Sequence, residues 1–282
     1  MAAVSEFVTR PPHPALRGRV LRYMGYRQHG RLPELHRGLP SCYATLVISL
    51  AEPIRVRGTP DGTRTDLSLS AAVGGLYPGP VMIAPGQYQH GVQIELHPLG
   101  LRQLLGHPAA ALSGQVADLG DLARPELASL PERLATARTW TDRFAVLDSA
   151  LLSATRGEVA VPAEVTWAWH EIVRRDGGLA VTELAAAVGW SKRHLSGRFR
   201  CELGVSPKQV ARIARFERAR RLLGQDARQA LATVAVECGY YDQAHMSNEW
   251  RTLAGCSPSR WLAEELPFLQ ANGDDSQARY GG

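Results

Sequence analysis

Lysine is almost missing from this chain, since its 282 residues contain Lys192 and Lys208 and no third lysine. Cysteine is also scarce, and the four cysteines stand far apart with no CxxC pair, which disfavours a zinc site or a disulfide framework. No apolar run is long enough to cross a bilayer, and the first residues lack the apolar stretch of a secretory signal. We therefore expect a cytoplasmic protein with no membrane partner.

Enzyme signatures are missing as well. The sequence has no nucleophile elbow, no phosphate-binding loop and no dinucleotide fingerprint. Cys42 stands in "PSCYA" with no adjacent His or Arg to lower the pKa of its thiol, so we do not expect it to act as a nucleophile. These absences predict a protein that is not an enzyme and needs no cofactor. A redox-sensing role for Cys42 stays open as an alternative.

The composition is that of a folded protein, with 45% hydrophobic residues and a net charge of +5. The length suits two domains, and the chain changes character near residue 156. Before that point, strand-like runs at 43–50, 54–57, 80–85 and 91–96 alternate with Gly and Pro turns. Helical spacing follows at about 100–106, 125–137 and 140–154.

These patterns predict four segments. Residues 1–155 would form a sensor or dimerisation domain of the α+β class, and residues 156–163 a linker. Residues 164–266 read as almost wholly helical, with Trp167 and Trp169 packed in the first helix. The polar residues 267–282 would form a disordered tail.

The helical half contains a repeat of fourteen residues. Residues 194–207 read "HLSGRFRCELGVSP", and residues 245–258 read "HMSNEWRTLAGCSP". In the first copy Leu195, Phe199 and Leu203 share a helix face, and Met246, Trp250 and either Leu253 or Ala254 do so in the second. Each copy ends in Gly-x-Ser-Pro, which predicts a helix stop followed by the cap and first residue of a new helix.

A short apolar helix ending at Gly precedes each copy, as "ELAAAVGW" at 183–190 and "TVAVECGY" at 233–240. Helix, short turn and helix form a helix-turn-helix motif, so the chain carries two of them. The second turn is one residue longer than the first. Residues 207–224 would form one helix that connects the two motifs.

Positive charge concentrates on the first motif and the connecting helix. Residues 192–228 contain eleven Lys or Arg and three acidic residues. The outward faces of the two repeated helices carry Arg together with short hydrogen-bonding side chains, a mixture that suits base edges and phosphates better than solvation alone. This pattern indicates double-stranded DNA as a partner.

Residues 165–265 resemble the DNA-binding domain of AraC/XylS-type transcriptional regulators. The resemblance lies in "LAAAVGWSKRHLSGRFRCELGVSPKQVARIARFERARRLL" and "VAVECGYYDQAHMSNEWRTLAGCSPSRWL". It implies seven helices, with two recognition helices in successive major-groove segments. It also implies a transcription regulator, an activator more often than a repressor, with RNA polymerase as a partner. In the N-terminal half it implies a small, cupin-like β-barrel with trailing helices that senses a small molecule or forms a homodimer.

The resemblance assigns site residues one by one. The base-reading positions are Arg193, Ser196, Gly197, Gln243, Ala244, Ser247 and Asn248. Two of them depart from the family pattern, because Gly197 has no side chain and Asn248 stands where Arg is common. The phosphate or positioning contacts are Lys192, His194, Arg200, His245 and Arg251. His194 and His245 have a second interpretation as purely structural residues.

Ligand residues in the N-terminal half are less clearly marked. The candidates for a ligand pocket inside the barrel are Tyr43, Tyr88, Gln93 and Glu95. A metal site would need His90, Glu95 and His97 on one strand face, and His90 differs from the other two by an odd number of residues. We therefore expect a small-molecule pocket without a metal, and keep a domain that only dimerises as an alternative.

Overall fold

The computed structural model describes residues 4–29, 34–122, 125–155 and 161–265. The part of the chain up to residue 118 contains the β-strands. Ten strands are present in the described residues: β1 Val4–Arg10, β2 Val20–His29, β3 His36–Gly38, β4 Ala44–Ser49, β5 Ile54–Gly58, β6 Arg64–Leu69, β7 Ala71–Gly74, β8 Val81–Ala84, β9 Tyr88–Leu96 and β10 Val116–Asp118.

The strands pair antiparallel in two sheets. The larger sheet has the order β1-β2-β9-β4-β7-β10, and the smaller one has the order β3-β8-β5-β6. The pairing places Arg22 opposite Glu95 and Met24 opposite Gln93. Within the described residues no pairing joins the sheets into a closed barrel, so the barrel expectation is wrong in that detail. The α+β class of this half is confirmed.

Five α-helices follow or interrupt the strands: α1 Leu101–Leu105, α2 Leu119–Leu122, α3 Pro125–Ala128, α4 Leu130–Thr136 and α5 Trp140–Ala154. The prediction of one helix over 125–137 is wrong, because the segment divides at Ser129. Pro131 explains the break, since a proline inside a continuous helix has no N–H to donate and its ring clashes with the preceding turn. The prediction for 140–154 is confirmed, with Phe144, Leu147 and Leu151 buried.

The C-terminal half is helical throughout its described part. It contains seven helices: α6 Ala163–Arg174, α7 Val181–Ala187, α8 Lys192–Leu203, α9 Pro207–Gln225, α10 Leu231–Glu237, α11 Gln243–Ala254 and α12 Pro258–Glu264. This number confirms the expectation from the family resemblance. Helix α9 is the predicted connecting helix. Among the described residues, no helix is both long and apolar enough to cross a membrane.

The two halves share one hydrophobic core. Trp169 of α6 lies against Tyr43, with ring centroids 5.5 Å apart, and against His97 at 4.3 Å. Trp167 does not join this core and is 42% exposed, so the expectation that both tryptophans pack inside is wrong for Trp167. Successive helical residues point about 100° apart, so positions 167 and 169 face nearly opposite sides of α6.

The predicted linker and tail fall largely outside the described residues. Residues 156–160 of the linker and residues 267–282 of the tail are not described. Helix α6 begins at Ala163, the last residue assigned to the linker. The domain boundaries stay predictions.

Candidate DNA-binding surface

Two helix-turn-helix units with the same local geometry lie at the two ends of α9. Helices α7 and α8 form the first unit, and α10 and α11 form the second. Gly189 follows α7 with φ +70°, and Gly239 follows α10 with φ +72°, a left-handed conformation that favours glycine. The next residue donates its N–H back to the helix at 2.9 Å in both units, from Trp190 to Ala185 and from Tyr240 to Ala235.

The two recognition helices, α8 and α11, each begin at a residue whose side chain caps the helix. The Ser191 hydroxyl accepts the His194 N–H at 3.1 Å, and an Asp242 carboxylate oxygen accepts the His245 N–H at 2.7 Å. The turn spans 188–191 in the first unit and 238–242 in the second, which confirms the extra residue. These caps satisfy N–H groups that have no partner inside the helix.

The Gly-x-Ser-Pro segments end the recognition helices as predicted. Gly204 and Gly255 have φ of +76° and +69°. Ser206 caps α9, where its hydroxyl accepts the Gln209 N–H at 3.3 Å, and Ser257 caps α12. The repeated fourteen residues are therefore a recognition helix, its left-handed stop and the start of the next helix, written twice.

The buried stripes of α8 and α11 agree with the predicted register. Leu195, Phe199 and Leu203 are fully buried in α8. Met246 and Trp250 are fully buried in α11, and both Leu253 and Ala254 are buried with them. The opposite faces of α8 and α11 therefore point to solvent.

The seven predicted base-reading positions lie on these outward faces. The residues that are exposed are Arg193, Gly197, Gln243, Ala244 and Asn248. Ser196 and Ser247 are half-buried beside them. A Cβ added to Gly197 would meet no atom within 4 Å, so the middle of α8 is open to an approaching molecule. Asn248 accepts a hydrogen bond from Arg251 at 2.9 Å on the same face.

The predicted positioning residues divide into two groups. Lys192, Arg200 and Arg251 are exposed cations without a structural role in the described contacts beyond the bond of Arg251 to Asn248. His194 packs edge-on against Trp190 at 4.5 Å, and His245 packs edge-on against Tyr240 at 5.5 Å. The structural interpretation of both histidines is thus favoured, and their phosphate contacts stay predictions.

Ion pairs hold the connecting helix against its neighbours. Arg212 of α9 bonds Glu249 of α11 at 2.7 Å, and Arg215 approaches the same carboxylate at 3.8 Å. Arg218 and Arg221 approach Asp176, which follows α6, at 3.7 and 3.5 Å. The positive charge that the sequence places on α9 is therefore partly neutralised within the protein.

The second unit has two exposed apolar residues that the sequence analysis did not identify. Tyr241 is 90% exposed and Val236 is 70% exposed. Tyr241 stands directly before the cap Asp242, at the start of α11. For Tyr241 the longer second turn was the available signal, because Tyr241 lies in this turn, whereas Val236 lies in α10.

A cavity of about 300 Å³ lies between the two sheets and reaches α9 and α12. The predicted ligand residues Gln93 and Glu95 line it. Tyr43 instead packs against Trp169, and Tyr88 lies at a separate depression of about 40 Å³. The structure thus brings two of the four predicted ligand residues together and places the other two elsewhere.

Residues of the helical half close one end of this cavity. Glu217 and Arg220 of α9 contribute to its lining, together with Trp261 and Glu265 at the C-terminal end of the described chain. Glu217 accepts hydrogen bonds from the Ser41 hydroxyl at 2.9 Å and the Cys42 N–H at 3.4 Å. The Cys42 side chain is fully buried, which makes its thiol a poor target for oxidants.

The sequence of residues 184–264 matches a protein family described as a helix-turn-helix domain. A probable transcriptional regulator, LumQ of Photobacterium leiognathi, is 28% identical over 83 residues. The region of similarity covers 29% of this chain and 33% of LumQ. Residues 184–264 form an AraC/XylS-type helix-turn-helix domain.

A solved structure extends the likeness beyond the AraC/XylS-type domain. An apo variant of ToxT from Vibrio cholerae superposes with a TM-score of 0.51 at 8% identity, over 90% of this chain and 99% of ToxT. The AraC-like transcriptional activator CuxR aligns with a TM-score of 0.26 at 14% identity, over 78% of this chain and 87% of CuxR. The ToxT superposition shows a shared fold that includes the β-rich half in front of the AraC/XylS-type domain.

Proposed function

We propose that this protein is a sequence-specific DNA-binding transcription regulator, an activator and not an enzyme, controlled by a small molecule bound in its N-terminal half. The observation that carries the proposal is the pair of capped recognition helices on one connecting helix, each with its polar face open to solvent. RNA polymerase is the protein partner that activation requires.

The two units are proposed to bind two successive groove segments. Helix α9, whose 19 residues span about 28 Å, joins them, and α11 contacts it at Arg212, Arg215 and Phe216. The family resemblance implies that the recognition helices lie one DNA turn apart, roughly 34 Å. A single chain can therefore contact two major-groove segments on one side of the duplex.

The two outward faces have different chemistry. In α8 the only long side chain at a base-reading position is Arg193, which suits the bidentate acceptors of guanine. In α11 the amides of Gln243 and Asn248 suit adenine. Lys192, Arg200 and Arg251 add cations that would contact phosphates and fix the position of each helix.

The cavity supports control by a small molecule over the two alternatives. It has the size of a ligand site and is lined by both halves of the chain. Redox control through Cys42 is disfavoured by the burial of that thiol. A domain that only dimerises would not need a cavity that reaches the helix joining the two recognition helices.

Selection of bound sequences from random duplexes tests the proposed DNA binding. We expect full-length protein to enrich two short conserved blocks about one helical turn apart, and footprinting to protect one face of the duplex. Arg193→Ala should lose the enrichment at one block, whereas Arg64→Ala, on the exposed strand β6, should keep both. Recovery of unrelated sequences by the native protein would contradict sequence-specific binding.

A further inference from the structure

The cavity has a charged end, a mainly apolar middle, and two paired glutamines, Gln28 and Gln89, at its far end. Arg22, Glu95 and Thr45 lie side by side on β2, β9 and β4 and line the end next to α9. The next row on the same strands holds Met24, Gln93 and Val47. Apolar side chains of the smaller sheet face this row, namely Ile54, Val56, Val81 and Ile83. An occupant would therefore meet charged and hydrogen-bonding groups at the end next to α9 and mainly hydrocarbon between the two sheets.

The fixed charges around the cavity balance one another. Three arginines and three glutamates line it, together with His36: Arg22, Arg37, Arg220, Glu95, Glu217 and Glu265. Glu95 pairs with Arg22 at 3.0 Å, and Glu265 pairs with Arg37 at 2.9 Å and with His36 at 2.8 Å. A charged ligand would have to break one of these pairs or lose its own hydration without a counterion, which is costly in a buried site.

Uncharged hydrogen-bonding groups complete the lining. The buried amide of Gln28 and the amide of Gln93 offer donors and acceptors at no charge. Burial raises the pKa of Tyr77 to about 12 and also raises that of Tyr26, so both phenols stay neutral. These groups can bind hydroxyl, amide or ester functions.

We propose that the cavity binds an uncharged amphipathic small molecule. Its hydrocarbon part lies between the two sheets, and its neutral polar head lies at the end formed by Arg22, Glu95 and Thr45. This inference rests on the proposed function and specifies the ligand class for that same site.

The polar head would contact the helix that joins the two DNA-binding units. Glu217 and Arg220 lie on α9 directly after Arg212, Arg215 and Phe216, the residues that contact the second recognition helix. Glu217 also bonds Ser41 and Cys42, so it ties α9 to the N-terminal half. An occupant at this end therefore changes the contacts of α9, which gives the ligand a direct route to the spacing of the recognition helices.

Calorimetric titration of the full-length protein with four matched probes tests the ligand class. The probes are 1-octanol, octanamide, octanoate and the octylammonium ion, used below their aggregation limits. We expect the two neutral probes to bind at least about tenfold more tightly than either ion. The inference is wrong if an ion binds as tightly as the neutral probes, or if neither neutral probe binds.

Two further variants locate the site. Val47→Phe should fill the cavity and abolish binding of the neutral probes, whereas Ser68→Phe, which adds the same ring on the exposed side of β6, should retain it. Glu95→Gln keeps the shape and removes one negative charge from beside Arg22, so it should shift the preference towards octanoate. Equal probe preferences in Glu95→Gln and native protein would overturn the placement of the head.

The ligand inference and the proposed function can fail separately. DNA selection without any probe tests DNA binding, and probe titration without DNA tests the cavity. A protein that selects a two-block DNA site but binds no neutral probe would refute only the ligand class. A protein that binds the probes but selects no sequence would refute the proposed regulator.

Discussion

Arg212 of the connecting helix donates from Nε to a carboxylate oxygen of Glu249 on the second recognition helix at 2.7 Å. The same carboxylate faces Arg215 at 3.8 Å and His245 at 3.8 Å. Glu249 thus fixes α11 on α9 through Arg212 and Arg215, while its contact with His245 lies within α11. Asp176, which follows α6, meets Arg218 and Arg221 in a comparable way and fixes α6 on the same helix.

Glu249→Gln should therefore destabilise the packing of α11 on α9 without changing a base-reading residue of α11. We expect a loss of about 1–3 kcal/mol in the free energy of unfolding, because partly buried guanidinium groups lose their anion. DNA affinity for the two-block site should fall with it, and affinity for the first block alone should not. Urea unfolding and binding titrations measure both effects, with Glu237→Gln on the exposed side of α10 as the control.

Arg193→Ala should remove the single long side chain at the reading positions of α8. The expected cost is about 1–3 kcal/mol on the selected site, with relaxed preference at one base pair. Competition titrations against duplexes that vary each base pair in turn measure the change. Equal weakening on selected and random duplexes would contradict a base-reading role.

Arg200→Ala should act differently, because this exposed arginine is assigned to a phosphate. Affinity should fall by a similar factor on every sequence, and the slope of log affinity against log salt should decrease by about 1. Titrations over a range of salt concentrations provide the slope. A change of sequence preference in this variant would place Arg200 among the base readers instead.

Ser206→Ala should destabilise the start of α9. Its hydroxyl accepts the Gln209 N–H, and the Gln209 side chain accepts the Ser206 N–H at 2.9 Å, so the variant loses one half of a reciprocal cap. We expect a loss of about 1 kcal/mol in the free energy of unfolding. Ser259→Ala, one residue inside α12 and exposed, is the matched control and should melt with the native protein.

Acid should weaken the contact between the two halves through His97. Burial, and then the charge of His170, lower the pKa of His97 from 6.5 to about 3, so the folded protein holds this ring neutral. The unfolded chain binds a proton at His97 below about pH 6.5, whereas the folded protein does not. The contribution of the neutral His97 ring to the free energy of unfolding is therefore fully present above pH 6.5 and is lost as the pH falls towards 3. The slope approaches about 1.4 kcal/mol per pH unit in that interval.

His97→Asn should flatten this dependence. An asparagine keeps an acceptor for the Leu99 N–H, which His97 Nδ1 binds at 3.2 Å, and removes the titrating ring. His107→Asn changes an exposed histidine and should leave the native pH profile in place. Unfolding free energies measured between pH 4 and pH 7 compare the three proteins. Burial also lowers the pKa of His90, to about 4, so a residual slope is expected in every variant.

The DNA-binding half could be predicted in detail because its signals are local. A helix end and a new helix are predicted within four residues by Gly204, Ser206 and Pro207. The same pattern recurs at Gly255, Ser257 and Pro258. Helical spacing of Leu195 and Phe199 then fixes which face is outward. Each of these rules concerns neighbours in the sequence, so none needs knowledge of the tertiary structure.

The N-terminal half was less predictable because its strands depart from simple alternation. In β2, Arg22 and Gln28 point into the cavity with Met24 and Tyr26, so the inward face mixes charged, polar and apolar residues. Because of that mixture, β2 does not show the alternation of apolar and polar residues by which a strand is predicted from sequence. The split between α3 and α4 at Ser129 had a local signal in Pro131, but the regular spacing of Leu127, Leu130 and Leu134 favoured one continuous helix.

The contacts between the halves could not be read from the sequence at all. Glu217 on α9 and Ser41 before β4 are 176 positions apart along the chain, yet they share a hydrogen bond. Tyr43 was expected in a ligand pocket and instead packs on Trp169. Such partners are set by how the two halves dock, which local periodicity does not encode.

The longer turn before α11 makes the two recognition helices inequivalent within one chain. Since α8 and α11 also present different side chains, a duplex bound by a single molecule has a left end and a right end, with no dyad between them. Reversing the DNA site would turn the whole protein around on the duplex and carry the β-sheets to the opposite flank. Under the proposed function, the orientation of the binding site relative to the transcription start is therefore part of the regulatory signal.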